Sequence, residues 1–164
     1  MTIALLVKLL HVLVGFALVT GIVGRDVTLR RAARAADLPS VHALLDVATV
    51  FERAFVRPMS LLVLVFGLAA AWVRGMPILG TLAGGSTNWL LVSLVLFVGI
   101  ALLVPLVFLP RGRAFEAALA DADARGQVTP ELSAAFRDPA VERARLAEAI
   151  GLVVVIALMV LKPF

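Results

Sequence analysis

The stretch ALLVKLLHVLVGFALVTGIVGRD, Ala4–Asp26, decides the fold. From Ile3 to Gly24 it is apolar on every helical face, broken only by Lys8 and His11. That is long enough to cross a bilayer core of about 30 Å, which takes about 20 residues of α-helix. Three further stretches read the same way. Pro58–Val73 is short unless it extends toward Leu79, Trp89–Leu109 contains Pro105, and Leu146–Leu161 ends at Lys162-Pro163-Phe164. The sequence predicts one domain over 1–164 with four spans at about 3–24, 58–79, 89–109 and 146–162. The first span is not read as a cleavable signal, because no basic segment precedes it and no small-x-small site follows it.

Composition agrees. Of 164 residues, 62% are hydrophobic and 16% charged, too little polar side chain to cover a soluble domain. The absence of cysteine excludes disulfides, cysteine-ligated iron–sulfur clusters, thioether-attached haem and a thiol nucleophile. The absence of tyrosine and scarcity of lysine, beside abundant Arg, Ala, Val and Leu, point to a GC-rich bacterial genome. A net charge of +4 invites a nucleic-acid reading. Its placement argues against one, because the arginines cluster between apolar spans with no recognition motif beside them.

The same arginines orient the chain. Arg25, Arg30, Arg31, Arg34, Arg53 and Arg57 lie between spans one and two, and Arg111, Arg113, Arg125, Arg137, Arg143 and Arg145 between spans three and four. The second connection holds Arg74 alone, flanked by Trp72 and Trp89 as interfacial tryptophans would be. Both arginine-rich loops are therefore expected in the cytoplasm, on anionic lipid headgroups, with the Arg74–Asn88 loop and both termini outside.

Those loops read as ordered. After Pro39-Ser40, an N-cap serine, the pattern Leu44, Val47, Phe51, Phe55 predicts a helix that lies along the inner interface or runs straight into span two. Thr129-Pro130 and Asp138-Pro139 read as N-caps followed by proline, and Gly126 as the stop before them. The second loop is expected to hold two or three short helices, the last feeding span four. The fold class is all-α: an integral membrane antiparallel four-helix bundle with short cytoplasmic or interfacial helices. Ala17, Gly21 and Gly24 in span one, Gly67, Ala70 and Ala71 in span two and Gly99 in span three should mark close helix approaches. Pro105 should kink span three.

Over essentially its whole length the chain resembles a bacterial family of predicted integral membrane proteins, the domain of unknown function twenty-two sixty-nine. The resemblance is carried by LLHVLVGFALVTG, RPMSLLVLVFGL, WLLVSLVLF with VPLVFLPRGR, TPELSAAFRDP and LMVLKP. It implies four spans and supplies no activity. More distantly, a first-span histidine in a small helical bundle is similar to that of copper-resistance D-type proteins and the J-type protoporphyrinogen oxidase. On that likeness His11 would be a ligand or haem-contacting position, although no second histidine lies in any span here.

Two readings of Lys8 and His11 follow, since residues three apart share a helix face. In the first, Lys8 snorkels to the outer headgroups and His11 is a neutral imidazole bonded to a carbonyl or hydroxyl across the helix gap. In the second, His11 ligates haem or a metal and Lys8 balances an anionic group such as a haem propionate, having no acid at its own depth. His42 is expected across the membrane from His11, too far to share an atom with it. Met59, Met76 and Met159 are scattered, and Ser60 and Ser93 lack a base for a hydrolytic triad. The carboxylates nearest the spans, Glu52 and Glu148, lie at their cytoplasmic ends, and none stands deep in a span for proton-coupled transport. Glu52-Arg53 and Arg145-Glu148 read as inner-interface charge pairs, reaching for Arg111 or Arg113. No catalytic residue and no dedicated metal site is read from the sequence. The expected function is a non-enzymatic accessory or interaction module of the bacterial inner membrane, partnered by lipid, by a second copy or by another membrane protein. The alternative is a haem- or metal-binding redox protein using His11.

Overall fold

The computed structural model describes residues 2–79, 82 and 89–162. Seven α-helices follow in order: α1 Ile3–Ala32, α2 Leu38–Phe51, α3 Arg57–Val73, α4 Trp89–Leu103, α5 Leu109–Arg125, α6 Pro130–Phe136 and α7 Pro139–Leu161. There is no strand among the described residues. Most of the expected outer loop, residues 80–81 and 83–88, lies outside them. The helices fall into two compact units, Met1–Met76 and Pro77–Phe164.

The helices outrun the spans read from hydropathy. α1 continues eight residues past Gly24, because Arg25–Ala32 contains neither Gly nor Pro and is rich in good helix formers. Hydropathy marks where the solvent changes; the backbone has no reason to stop there. Span two extends in the opposite direction from the one expected. α3 ends at Val73 rather than Leu79, closed by Gly75 at φ 63°, whose N–H donates to Trp72 while that of Met76 donates to Ala71. At its other end, a π turn at Glu52–Val56 joins α3 to α2, so helix runs from Leu38 to Val73. A second π turn, Val104–Phe108, joins α4 to α5.

Each π turn ends two residues before a proline, Pro58 or Pro110. A proline ring would clash with the carbonyl four residues back. Here the preceding residues donate five back instead, Arg57 to Glu52 and Leu109 to Val104, which widens the turn and lets the helix pass. Pro105, where the sequence predicts a kink, lies within the second of these turns. In the second loop, only α6 is a separate short helix: what precedes Gly126 is the span-three helix running on, and α7 enters span four directly.

The caps are mostly where the sequence placed them. Thr129 Oγ1 accepts from the Leu132 N–H at 3.2 Å, Asp138 Oδ1 from that of Ala140 at 2.8 Å, and Gly126 closes α5 at φ 66°. Ser40 is the exception. The cap of α2 is Asp37, which accepts from the Ser40 N–H at 2.8 Å and from its hydroxyl at 3.0 Å, leaving Pro39 in the first turn where no N–H is missed. The Ser40 N–H and hydroxyl hold the Asp37 carboxyl below its ordinary value. That contribution to α2 is present at neutral pH and fades as acid titrates the carboxylate.

Within the first unit, α1 packs against the α2–α3 helix in the opposite direction: His11 meets Val63, Gly21 meets Phe55 and Gly24 meets Phe51. A Cβ at Gly21 would stand 2.5 Å from the Phe55 Cβ, and one at Gly24 2.5 Å from the Phe51 ring, so both glycines are there for space. Within the second unit, Lys162 lies over the Trp89 ring at 5.6 Å, Gly151 faces Ile100, and Arg111 reaches Asp138, again an antiparallel pairing. Gly99 faces open space; the close approach there belongs to Gly151, which leaves room for the Ile100 side chain. Phe115 and Phe136, edge to face at 4.8 Å, pin α6 onto α5 over the buried Leu132.

Among the described residues, four long helical stretches are apolar enough to cross a membrane, and only 6% to 17% of the most apolar part of each is buried in the protein. Phe16, Trp72, Leu106 and Val160 are all at least two-thirds exposed. In water that surface would drive aggregation; hydrocarbon is its natural solvent. Three hydroxyls in or beside the spans bond to their own helices, Ser60 to Val56, Ser93 to Trp89 and, past the end of span one, Thr28 to Gly24, each at 2.7 Å.

Candidate functional site

His11 sits on α1 facing α3, half-buried. Its Nδ1 lies 3.1 Å from the Val63 carbonyl oxygen. A carbonyl only accepts, so the proton is on Nδ1, and in the neutral ring the lone pair is on Nε2. In a regular α-helix the Val63 carbonyl also receives the N–H of residue 67, so the imidazole adds a second donor to an oxygen with two lone pairs. Gly67 makes that approach feasible. A Cβ there would stand 3.0 Å from His11 Cε1 and 3.4 Å from Nδ1, tight enough to push the ring outward.

Lys8, one turn earlier, is exposed, and no other described residue holds its ammonium. The structure thus brings His11 to α3 and leaves Lys8 outside the contact. His42 is not brought to His11. It lies on α2, 21 residues before Val63 on the same continuous helix, which separates the two histidines by about 31 Å at 1.5 Å per residue. Met59 and Met76 are set apart by the length of α3. Ser60 and Ser93 spend their hydroxyls on helix carbonyls, away from any base.

A second polar cluster lies where the first unit leaves the apolar zone. Arg25 Nη1 is 3.2 Å from Glu52 Oε2, Arg57 Nε is 3.1 Å from Glu52 Oε1, and Arg25 Nε is 3.1 Å from Asp26. Glu52 opens the π turn, so one residue fastens that turn to Arg57 and to α1 through Arg25. The sequence paired Glu52 with Arg53, its neighbour; side chains one apart on a helix diverge, and the partners come from a turn on and from the facing helix. Beside the clasp, Arg25, Leu29, Leu45, Ala48, Thr49 and Glu52 line an open cleft of about 180 Å³ that the sequence did not announce. In the second unit Arg111 engages Asp138 at 3.2 Å, an acid the sequence assigned only to capping, while Glu148 is buried.

The fold and these contacts define an all-α integral membrane protein in which His11, Glu52 and Asp138 join helices. The chain belongs to the family described as "Predicted integral membrane protein (DUF2269)", whose profile matches residues 5–163. No curated protein and no solved structure matches it.

Proposed function

We propose that the chain is a multi-pass protein of the bacterial inner (plasma) membrane that acts as a non-enzymatic accessory or interaction module. Its termini face the periplasm and its arginine-bearing helix ends face the cytoplasm. The observation that carries this reading is the length of the helices. Leu38–Val73 and Trp89–Arg125 run 36 and 37 residues, about 55 Å at 1.5 Å per residue, against a hydrocarbon core of about 30 Å. In each unit the excess is ordered helix, bearing Arg53 and Arg57 in the first and Arg111, Arg113 and Arg125 in the second, an interaction surface held rigidly off that unit's membrane-spanning part.

The second reading, a haem- or metal-binding redox protein, is favoured by one observation. His11 donates Nδ1–H to a carbonyl and so keeps Nε2 for an acceptor role, the tautomer that a carbonyl behind the ring imposes on a ligating histidine. Lys8 on the same face would supply the counter-charge. An absorption spectrum of protein purified from membranes in detergent separates the two. The interaction reading expects no Soret band, and His11→Gln to cost only a hydrogen bond, about 0.5–1.5 kcal/mol. A Soret band that disappears in His11→Ala would replace the first reading by the second.

A further inference from the structure

Resting on the proposed reading of the helix ends as an interaction surface, we infer that the C-terminal turn of α1 is a binding site for the phosphates of anionic phospholipids, formed by Arg30, Arg31 and Arg34. The three stand within five residues at the end of α1 and all are exposed. No other described residue holds any of their guanidinium groups. The nearby acids are committed elsewhere: Asp26 to Arg25, and Asp37 to the N–H and hydroxyl of Ser40.

The arginines of the second unit differ. Arg111 is paired with Asp138, Arg125 with Asp121, and Arg143 donates to the Pro139 carbonyl. Arg113 and Arg137 of that unit, and Arg53 of the first, are exposed and unheld among the described residues, but none has a second unheld arginine within four residues of it.

Depth identifies the occupant. α1 has 30 residues, about 45 Å of helix, and a bilayer with its headgroup layers is about 40–45 Å thick. With Ile3 in one headgroup layer, Arg30 and Arg31 reach the other, and the exposed Val23 and Val27 lead up to it in contact with acyl chains. A planar guanidinium pairs two N–H groups with two phosphate oxygens, and adjacent arginines at the negative end of a helix lose nothing by sitting there. The phosphate stays covalently in the lipid; nothing is transferred.

The test is the thermal midpoint of detergent-purified protein titrated with phosphatidylglycerol, phosphatidylcholine or soluble glycerol phosphate, because a ligand of the folded state raises the midpoint by mass action. Wild type is expected to rise with phosphatidylglycerol alone. Arg30→Gln/Arg31→Gln/Arg34→Gln should lose that rise entirely, and Arg113→Gln/Arg137→Gln should keep it. If the triple variant does not purify folded, Arg31→Gln alone should lower the lipid's apparent affinity severalfold. A wild type indifferent to phosphatidylglycerol, an equal response to glycerol phosphate, a triple variant that responds fully, or an equal loss in the Arg113/Arg137 variant would each overturn the site. Micelles have no sides, so the outcome does not depend on the compartment assigned to the helix ends or on a protein partner.

Discussion

Gly21→Leu is expected to unfold the first unit at markedly lower temperature than wild type, and Gly24→Leu to do nearly the same. At Gly21 even the first added carbon would stand 2.5 Å from the Phe55 Cβ, an atom fixed to the backbone of the facing helix. The helices must then move apart along their contact. Overpacking of this kind costs about 1–3 kcal/mol and more for a whole isobutyl group. The built-in comparison is position 15, where an added Cβ meets nothing within 4 Å. Gly15→Leu should be neutral or slightly stabilising, since glycine costs a helix about 1 kcal/mol relative to good helix formers. Gly67→Ala falls between, because the ring it meets at 3.0 Å can yield at the expense of the His11–Val63 bond. Thermal midpoints in one detergent should rank Gly15, Gly67, Gly21 in order of increasing damage. Equal midpoints for Gly15→Leu and Gly21→Leu would show that α1 does not approach the π turn as described.

The second large effect is expected at Glu52. Its carboxylate bridges Arg25, whose side chain is 12% exposed, and Arg57, which is 69% exposed. The two halves of the clasp are therefore unequal. An exposed pair is worth well under about 1 kcal/mol, so Arg57→Gln should be almost silent. Glu52→Ala also strips a partner from the sheltered Arg25, and hydrogen bonds to charged groups are worth about 1.5–3 kcal/mol. Asp26 remains beside Arg25 and reduces the loss. Equilibrium unfolding should place Glu52→Ala clearly below Arg57→Gln, and a double-mutant cycle on Arg25 and Glu52 should return a favourable coupling. Coupling indistinguishable from zero would remove the clasp from the account.

What could be read from the chain depended on whether a feature is local. The apolar run around Phe16, the caps at Thr129 and Asp138 and the stop at Gly126 depend on a few adjacent residues, and all were legible. Gly21 and Gly24 were legible as small, yet their partners Phe55 and Phe51 follow from a register that no local pattern states. The same blindness promoted Gly99, which faces open space, over Gly151, which does not. Pro58 was read as the start of a span because a proline normally breaks a helix. The helix running straight into span two was one of two readings open from the residues, and it is the one the fold takes; the π turn that carries it to Pro58 depends on no residue type and is stated by no local pattern. At His11 the side chain expected to find a partner found one, but the acceptor is the backbone of Val63, exposed to it by the absence of a side chain at Gly67. A backbone acceptor leaves no residue type to recognise.

The placement of the helix ends on the two sides of the membrane is the central claim of the proposed function, and the lack of native cysteine makes it directly measurable. Single cysteines at Thr2 and Lys162, beyond the ends of α1 and α7 proposed to lie outside, and at Arg34 and Ala124, near the ends of α1 and α5 proposed to lie inside, can be treated in intact cells with a membrane-impermeant maleimide. The account predicts labelling at 2 and 162 from outside, and at 34 and 124 only after the membrane is opened. Labelling of 34 or 124 in intact cells, with 2 and 162 protected, would invert the protein and contradict it.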